Sequence, residues 1–189
     1  MSIALVIGGA RSGKSSYGEK LAASISENVA YIATAQSFDE EMQARISLHR
    51  SRRPEEWTTY EVPLHISKVV QDIKEKHDVF LLDCLTLLIS NILLKDLNID
   101  NITTEIQTMK EDLITREIEK LIYCFKNYNK NLIVITNEVG LGLVPSNALS
   151  RLYRDIAGRA NQLLAEEADT VILTLAGIPL QIKPNLVRL

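Results

Sequence analysis

The chain has 189 residues, a length typical of a single domain that buries a full hydrophobic core without disulfides or metal ions, and we expect one domain over 1–189. Hydrophobic residues make up 46% and charged residues 24%, which places the chain among ordinary globular proteins. The formal net charge of −3 argues against binding nucleic acid through a basic face, but it leaves room for a basic pocket that holds a phosphorylated small molecule.

The N-terminal segment and the cysteines indicate the compartment. No apolar run approaches the roughly 20 residues that span a bilayer, and the first residues lack the basic region of a signal peptide. The two cysteines, Cys84 and Cys124, form no CxxC pair and lie among apolar or aromatic residues, so we expect packing cysteines. We therefore expect a cytoplasmic protein without a membrane span.

Short apolar runs alternate with longer amphipathic stretches along the chain. The hydrophobic spacing predicts, in order, strand 3–7, helix 15–25, strand 29–35, helix 65–76, strand 79–85, helix 103–127, strand 131–140, helix 150–168, strand 169–177 and a short strand at 179–184. The segments 36–64 and 95–103 are the least regular, and we expect both to be excursions from the sheet, although the stretch 39–57 has the composition of a charged helix. Continuous apolar strands that alternate with helices indicate an α/β fold with a mostly parallel sheet and helices on both faces.

The first strand is followed by GGARSGKS, which matches the phosphate-binding pattern G-x-x-x-x-G-K-[ST]. Glycines allow the backbone to curl so that N–H groups point at phosphate oxygens, and the next helix adds its positive N-terminal end. The pattern predicts a P-loop NTPase-type fold and a nucleotide site formed by Gly8, Gly9, Ala10, Arg11, Ser12, Gly13, Lys14 and Ser15.

Catalysis of phosphoryl transfer needs a cation on the transferred phosphate and a metal-holding carboxylate. We expect Lys14 to supply the cation and the Ser15 hydroxyl to be a ligand for Mg²⁺. The apolar run VFLLDCL ends in Asp83, and an acidic residue at the end of a hydrophobic strand is expected in the Mg²⁺ shell. A P-loop alone leaves a small-molecule kinase, an ATPase and a nucleotide-gated switch open, although a guanine-specifying Asn-Lys-x-Asp is absent from the sequence.

Six segments together carry a resemblance to a known family. They are GGARSGKS at 8–15, YIATAQ at 31–36, DEEMQARISLHRSRRPEEW at 39–57, LLDCLT at 81–86, TNEVGLGLVP at 136–145 and RDIAGRANQLLAEEAD at 154–169. In this order they resemble the bifunctional adenosylcobinamide kinase / adenosylcobinamide-phosphate guanylyltransferase of cobalamin biosynthesis. The resemblance implies a homotrimer that phosphorylates the corrinoid adenosylcobinamide with ATP or GTP. It also implies transfer of GMP from GTP to that phosphate through a GMP–histidine intermediate.

The resemblance also implies site residues. The guanylylated histidine of the family matches His49, and the nucleotide contacts match Thr34, Ala35, Gln36, Arg50, Ser51, Arg52, Arg53 and Glu61. A neutral imidazole is a competent nucleophile near pH 7, since its unperturbed pKa is about 6.5. A phosphoramidate divides one difficult displacement into two easier ones, and neighbouring arginines stabilise charge that develops on the attacked phosphate.

Several interpretations stay open at this level. A kinase without guanylyltransferase activity, and a non-enzymatic nucleotide-binding assembly protein, would share the P-loop. Asn137 and Glu138 lie at the end of the predicted strand 131–140, before a glycine, and they either face the active site or form a solvated turn. The helix that holds Arg154, Arg159 and Asn161 is either an ordinary charged surface or a contact for ligand or subunit. His77, in a charged turn, is expected to be solvated.

Overall fold

The computed structural model describes residues 2–37, 39–51 and 53–184, and at positions 41, 42, 45, 48 and 49 it describes the backbone only. The elements follow one another in this order: β1 (Ser2–Gly8), α1 (Lys14–Ile25), β2 (Val29–Ala33), α2 (Glu40–Arg50), β3 (Thr58–Glu61), α3 (Ile66–Ile73), β4 (Val79–Asp83), α4 (Leu85–Leu94), α5 (Thr104–Tyr128), β5 (Asn131–Asn137), α6 (Ala148–Glu167), β6 (Thr170–Leu175) and β7 (Ile178–Lys183).

All seven strands form one sheet in the order β3-β2-β4-β5-β1-β6-β7. The first six of these run parallel, and β7 pairs antiparallel with β6. A two-residue turn joins β6 to β7, and Ala176 and Gly177 both have positive φ there, as such a tight hairpin requires. The predicted α/β, mostly parallel architecture is confirmed, including the short last strand.

Alternate residues of the strands enter two separate cores, because successive side chains of a strand point to opposite faces. On one face, Ile3 and Leu5 of β1 pack with the apolar sides of α3, α4, α5 and α6. On the other face, Ala4 and Val6 pack in a smaller cluster with α1. The prediction of helices on both faces is therefore confirmed.

Two elements, α4 and β3, have no counterpart among the predicted ones. Helix α4 (LTLLISNILL) is apolar around most of its circumference, so it has no polar stripe to reveal helical spacing. Strand β3 is short and polar, because it forms the edge of the sheet. The segment 36–64 is therefore not simply an excursion from the sheet, since it contains both α2 and this edge strand.

Two charged side chains of α5 are buried against the ends of neighbouring helices. Lys110 donates hydrogen bonds from Nζ to the carbonyl oxygens of Ile92 and Lys95, at the end of α4. Glu117 accepts a hydrogen bond from the backbone N–H of Ser67, in the first turn of α3, at 2.9 Å. Each charge thus satisfies backbone groups that a helix end leaves unpaired, and α5 joins the two helices.

The prediction that His77 is solvated is wrong, because its side chain is only 5% exposed. Nδ1 lies 2.8 Å from Asn28 Oδ1, and Nε2 lies 2.8 Å from the Tyr60 hydroxyl. The Asn28 amide nitrogen donates to the Lys76 carbonyl, so Oδ1 is the atom that faces the ring. Nδ1 is therefore the protonated nitrogen and Nε2 accepts from Tyr60, and burial lowers the pKa of His77 below its ordinary value.

No helix among the described residues is both long and apolar enough to cross a bilayer. Both cysteines are buried and free. Burial raises the pKa of the Cys84 thiol, which favours the unreactive protonated form.

We expect His77 to make stability depend on pH. The folded pKa lies below the unfolded value near 6.5, so the unfolded chain binds more protons, and the free energy of unfolding falls as the pH drops below about 6.5. His77→Gln should cost about 1–3 kcal/mol at pH 8, since buried hydrogen bonds are lost, and should flatten this slope. Urea unfolding between pH 5 and 8 measures both effects. His65→Asn, a change at an exposed histidine, is the control, and an unchanged slope in His77→Gln would contradict the assignment.

Candidate functional site

The glycine-rich segment connects β1 directly to α1 and is held by the β6–β7 turn. Gly13 has φ of +92°, a conformation that side chains rarely adopt, and its backbone lies against Gly177. The Gly177 N–H donates to the Ser12 carbonyl oxygen at 2.9 Å. The hairpin that ends the sheet therefore buttresses the loop.

The Ser12 side chain points into the protein. It is buried, and its hydroxyl shares a 2.8 Å hydrogen bond with Thr174 Oγ1. Thr174 in turn donates to the Ile7 carbonyl oxygen. Ser12 thus fixes the shape of the loop, and its hydroxyl does not line the cavity that the loop borders.

A cavity of about 860 Å³ lies where β1, β2, β4 and β5 end. Ligands collect at this edge of parallel α/β sheets because loops from several strands meet there. The cavity brings together nine of the predicted site residues, namely Ala10, Lys14, Ser15, Ala35, Gln36, Arg50, Arg53, Glu61 and Asp83. Segments separated by more than seventy positions therefore border one space, as the parallel-sheet prediction requires.

The other predicted residues do not border it in the described structure. Those in the glycine-rich segment are Gly8, Gly9, Arg11, Ser12 and Gly13, which shape the loop. Thr34 is buried, and its hydroxyl bonds both the N–H and the carbonyl oxygen of Cys84 at 2.8 Å, so it ties the end of β2 to the end of β4. Ser51 is exposed just after α2.

Helix α2 borders the cavity through Gln43, Ile46 and Arg50, whose spacing places them along one side of the helix. His49 precedes Arg50 in this helix, but its side chain lies outside the described part of the structure. Arg52 also lies outside the described residues. The predicted roles of His49 and Arg52 therefore stay predictions.

An aromatic residue that the sequence analysis did not single out links two predicted site residues. The Tyr31 hydroxyl donates to Asp83 Oδ2 at 2.6 Å, and the Arg53 guanidinium carbon lies 3.4 Å from the centre of the Tyr31 ring. Burial is the main cause that raises the pKa of Tyr31, and the negative charge of Asp83 is the second, so the phenol is protonated. The sequence does contain a clue to this contact. Tyr31 lies in an apolar strand predicted to be buried, and a buried tyrosine hydroxyl requires a hydrogen-bond partner.

The polar residues at the end of β5 line the site and do not form a solvated turn. Asn137 and Glu138 both line the cavity, and Asn137 donates from Nδ2 to Thr86 Oγ1 at 2.8 Å. Asn161 of α6 is buried behind them, where it accepts from the Thr136 hydroxyl and donates to the Asn137 carbonyl oxygen. The α6 segment is thus a support for the site at Asn161. Arg159 pairs with Glu111 of α5, on the protein's exterior.

Charges of both signs line the cavity. The cations are Lys14, Arg50 and Arg53, and the carboxylates are Asp83, Glu61 and Glu138. Lys14 Nζ donates to the Gly9 carbonyl oxygen at 3.1 Å. Arg50 and Glu61 form a 3.8 Å ion pair with both side chains largely exposed, and such pairs are weak enough to exchange for a phosphate.

The oxygen donors of the cavity fit a hard divalent cation. The Ser15 hydroxyl and the Asp83 carboxylate border the same space, and oxygen is the ligand atom that Mg²⁺ prefers. In the part of the chain that the structure describes, no group of three or more His, Cys, Asp or Glu side chains is arranged to hold a metal ion. A cation held by Ser15 and Asp83 would take its remaining ligands from bound phosphates and water.

Comparison with known proteins gives consistent matches over nearly the whole chain. Residues 4–182 match the family model described as cobinamide kinase / cobinamide phosphate guanyltransferase. The bifunctional adenosylcobalamin biosynthesis protein CobU of Escherichia coli strain K12 is 44% identical over 181 residues, covering 95% of this chain and 98% of that protein.

Two further relatives are similar to the chain at nearly the same level. The bifunctional adenosylcobalamin biosynthesis protein CobP of Pseudomonas aeruginosa PAO1 is 41% identical over 179 residues, covering 95% of this chain and 96% of that protein. The bifunctional adenosylcobalamin biosynthesis protein CobU of Salmonella typhimurium LT2 is 41% identical over 179 residues, covering 95% of this chain and 98% of that protein.

We expect Gly8→Ala to destabilise the protein, because a Cβ there would lie 2.3 Å from Thr174 Oγ1 and 2.6 Å from the Thr174 carbonyl oxygen. The backbone atom cannot move aside without disturbing β6, and overpacking of this kind costs about 1–3 kcal/mol. Gly9→Ala is the matched control, since a Cβ at Gly9 meets no atom within 4 Å. Urea unfolding measures the difference, and equal stability of the two variants would contradict the close approach.

Proposed function

We propose that this chain, which belongs to the cobinamide kinase / cobinamide phosphate guanyltransferase family, is a bifunctional transferase that makes adenosylcobinamide-GDP. The proposal rests on one observation: a single cavity is lined by the P-loop residues Lys14 and Ser15, by Asp83, and by Arg50 and Arg53 at and after the end of α2. The first reaction moves a phosphoryl group, and the second moves a guanylyl group.

In the kinase step, the hydroxyl of the aminopropanol group of adenosylcobinamide attacks the γ-phosphorus of ATP or GTP. A P–O bond forms, the bond to the β-phosphate oxygen breaks, and ADP or GDP leaves. Lys14 neutralises charge on the transferred phosphoryl group, while N–H groups of the loop orient the phosphates. Ser15 and Asp83 would hold Mg²⁺, which supplies charge neutralisation across the phosphates when bound.

In the guanylyltransferase step, an imidazole nitrogen of His49 attacks the α-phosphorus of GTP, and pyrophosphate leaves. The phosphate of adenosylcobinamide phosphate then attacks the same phosphorus, which breaks the P–N bond and releases the histidine. Arg50 and Arg53, which border the cavity beside this segment, would stabilise the charge on the α-phosphate in both displacements. Ala35, Gln36 and Glu61 complete the proposed nucleotide-binding surface.

The resemblance to the family further supports a homotrimer that works in the cytoplasm. Light scattering during size-exclusion chromatography tests the mass of the assembly directly. A monomer at micromolar concentration would contradict this part of the proposal without affecting the chemistry above.

We expect α-³²P-labelled GTP with Mg²⁺ to label the protein with an acid-labile, base-stable bond, as a phosphoramidate requires. His49→Ala should abolish the label, whereas the control His65→Ala should keep it. Adenosylcobinamide phosphate should remove the label from the wild type. Label that persists in His49→Ala would contradict the nucleophile, and a kinase that transfers only the γ-phosphate would give no α-label in any form.

We expect Lys14→Ala to lower kcat for phosphoryl transfer by about 100-fold or more, because one cation on the transferred group supplies several kcal/mol of transition-state stabilisation. Lys20→Ala is the control, since Lys20 is an exposed residue of the same helix that does not border the cavity. Transfer from γ-³²P-labelled ATP and GTP to adenosylcobinamide measures the rate. Equal rates for the two variants would contradict the role of Lys14.

A further inference from the structure

Tyr31 of β2 contacts two charged residues that belong to different parts of the proposed site. Its hydroxyl donates to one oxygen of the Asp83 carboxylate at 2.6 Å. The Arg53 guanidinium stacks on the face of its ring, with the guanidinium carbon 3.4 Å from the ring centre. Asp83 ends β4 and Arg53 follows α2, so neither neighbours the other in sequence.

The tyrosine is itself rigidly held. Its side chain is 1% exposed, and its ring packs beside Trp57 with the ring centres 6.4 Å apart. A phenylalanine would fill the same space and make the same apolar contacts, so packing does not explain the hydroxyl. Among the described residues, the Tyr31 hydroxyl forms its hydrogen bond with the Asp83 carboxylate.

The Arg53 side chain is held by the ring and by one hydrogen bond. Its Nη1 donates to Thr59 Oγ1 at 3.1 Å, while Nε is buried and has no hydrogen-bond partner among the described residues. A guanidinium stacked on an aromatic face gains attraction from the ring quadrupole while its edge still donates. The ring therefore fixes the plane of a guanidinium whose side chain lines the cavity.

We infer that Tyr31 is a positioning residue that holds the metal-binding carboxylate and the phosphate-binding guanidinium in one fixed geometry. This inference rests on the proposed function. The hydrogen bond to Oδ2 restricts rotation of the carboxylate, so the direction of its other oxygen is set before a metal ion arrives. The stacking sets the direction of the guanidinium independently, which makes the two contributions separable by substitution.

Tyr31→Phe removes only the hydroxyl, and Tyr31→Leu removes the hydroxyl and the stacking surface. Tyr60→Phe is the matched control, since Tyr60 lies on the adjacent strand and its hydroxyl bonds His77, outside the cavity. Calorimetric binding of a non-hydrolysable GTP analogue, at zero and at increasing Mg²⁺, provides one readout. A second readout, independent of turnover, is Mn²⁺ binding in the presence of the same analogue, obtained from the free Mn²⁺ that electron paramagnetic resonance detects.

We expect Tyr31→Phe to raise the metal concentration for half-maximal binding by about tenfold and to leave metal-free nucleotide affinity within about twofold of wild type. Tyr31→Leu should also weaken metal-free affinity by about 2- to 20-fold, because the stacking is lost. In an Arg53→Ala background, Tyr31→Leu should add no further loss of metal-free affinity, since both changes act on one contact.

An unchanged metal dependence in Tyr31→Phe, with normal binding by the wild type, would overturn the positioning role alone. Equal losses with and without metal would do the same, since that pattern indicates general damage to the site. A wild-type protein that binds neither GTP analogue nor Mn²⁺ would count against the proposed function and the positioning role together.

Discussion

The parallel register of the central strands is the constraint on which the rest of the site depends. Ala33 of β2 pairs with Asp83 of β4, and Gly8 of β1 pairs with Asn137 of β5. Because these strands run in one direction, the residues that follow them leave the sheet at one edge. A slip of one residue in any strand would exchange its two faces and move its polar end away from the cavity.

Buried hydroxyl and amide groups keep these strand ends in place. The Thr34 hydroxyl joins β2 to β4, Ser12 joins the P-loop to Thr174 of β6, and Asn161 of α6 bonds the end of β5. Each pair lies at or near the end of a strand. An unpaired polar atom there would cost about 1–3 kcal/mol, so the same bonds that satisfy the interior also fix the outline of the site.

The cavity combines groups with two different origins in the fold. The P-loop and Asp83 come from central strands and their immediate ends, which are supported on both sides. Arg50 and Arg53 come from the segment around α2, which reaches the cavity from the side of the edge strand β3. Tyr31 joins the two sets, because its ring carries Arg53 and its hydroxyl holds Asp83. The proposed chemistry attacks the γ-phosphorus of ATP or GTP in one step and the α-phosphorus of GTP in the other, and it calls for this kind of arrangement, with a rigid phosphate cradle and a second set of cations.

The sequence by itself determined the features whose signals are local. A glycine-rich loop between a strand and a helix, continuous apolar strands and a carboxylate at a strand end are each readable within a few residues, and the family resemblance rests on similar short segments. The tertiary structure alone decided which side chains meet. Tyr31 and Asp83 are 52 positions apart in the sequence, and Ser12 and Thr174 are 162 positions apart, so no local pattern predicts either contact. The burial of His77 and the helical state of α4 were decided in the same way, because both depend on neighbouring elements that cover them rather than on the residues beside them in the chain.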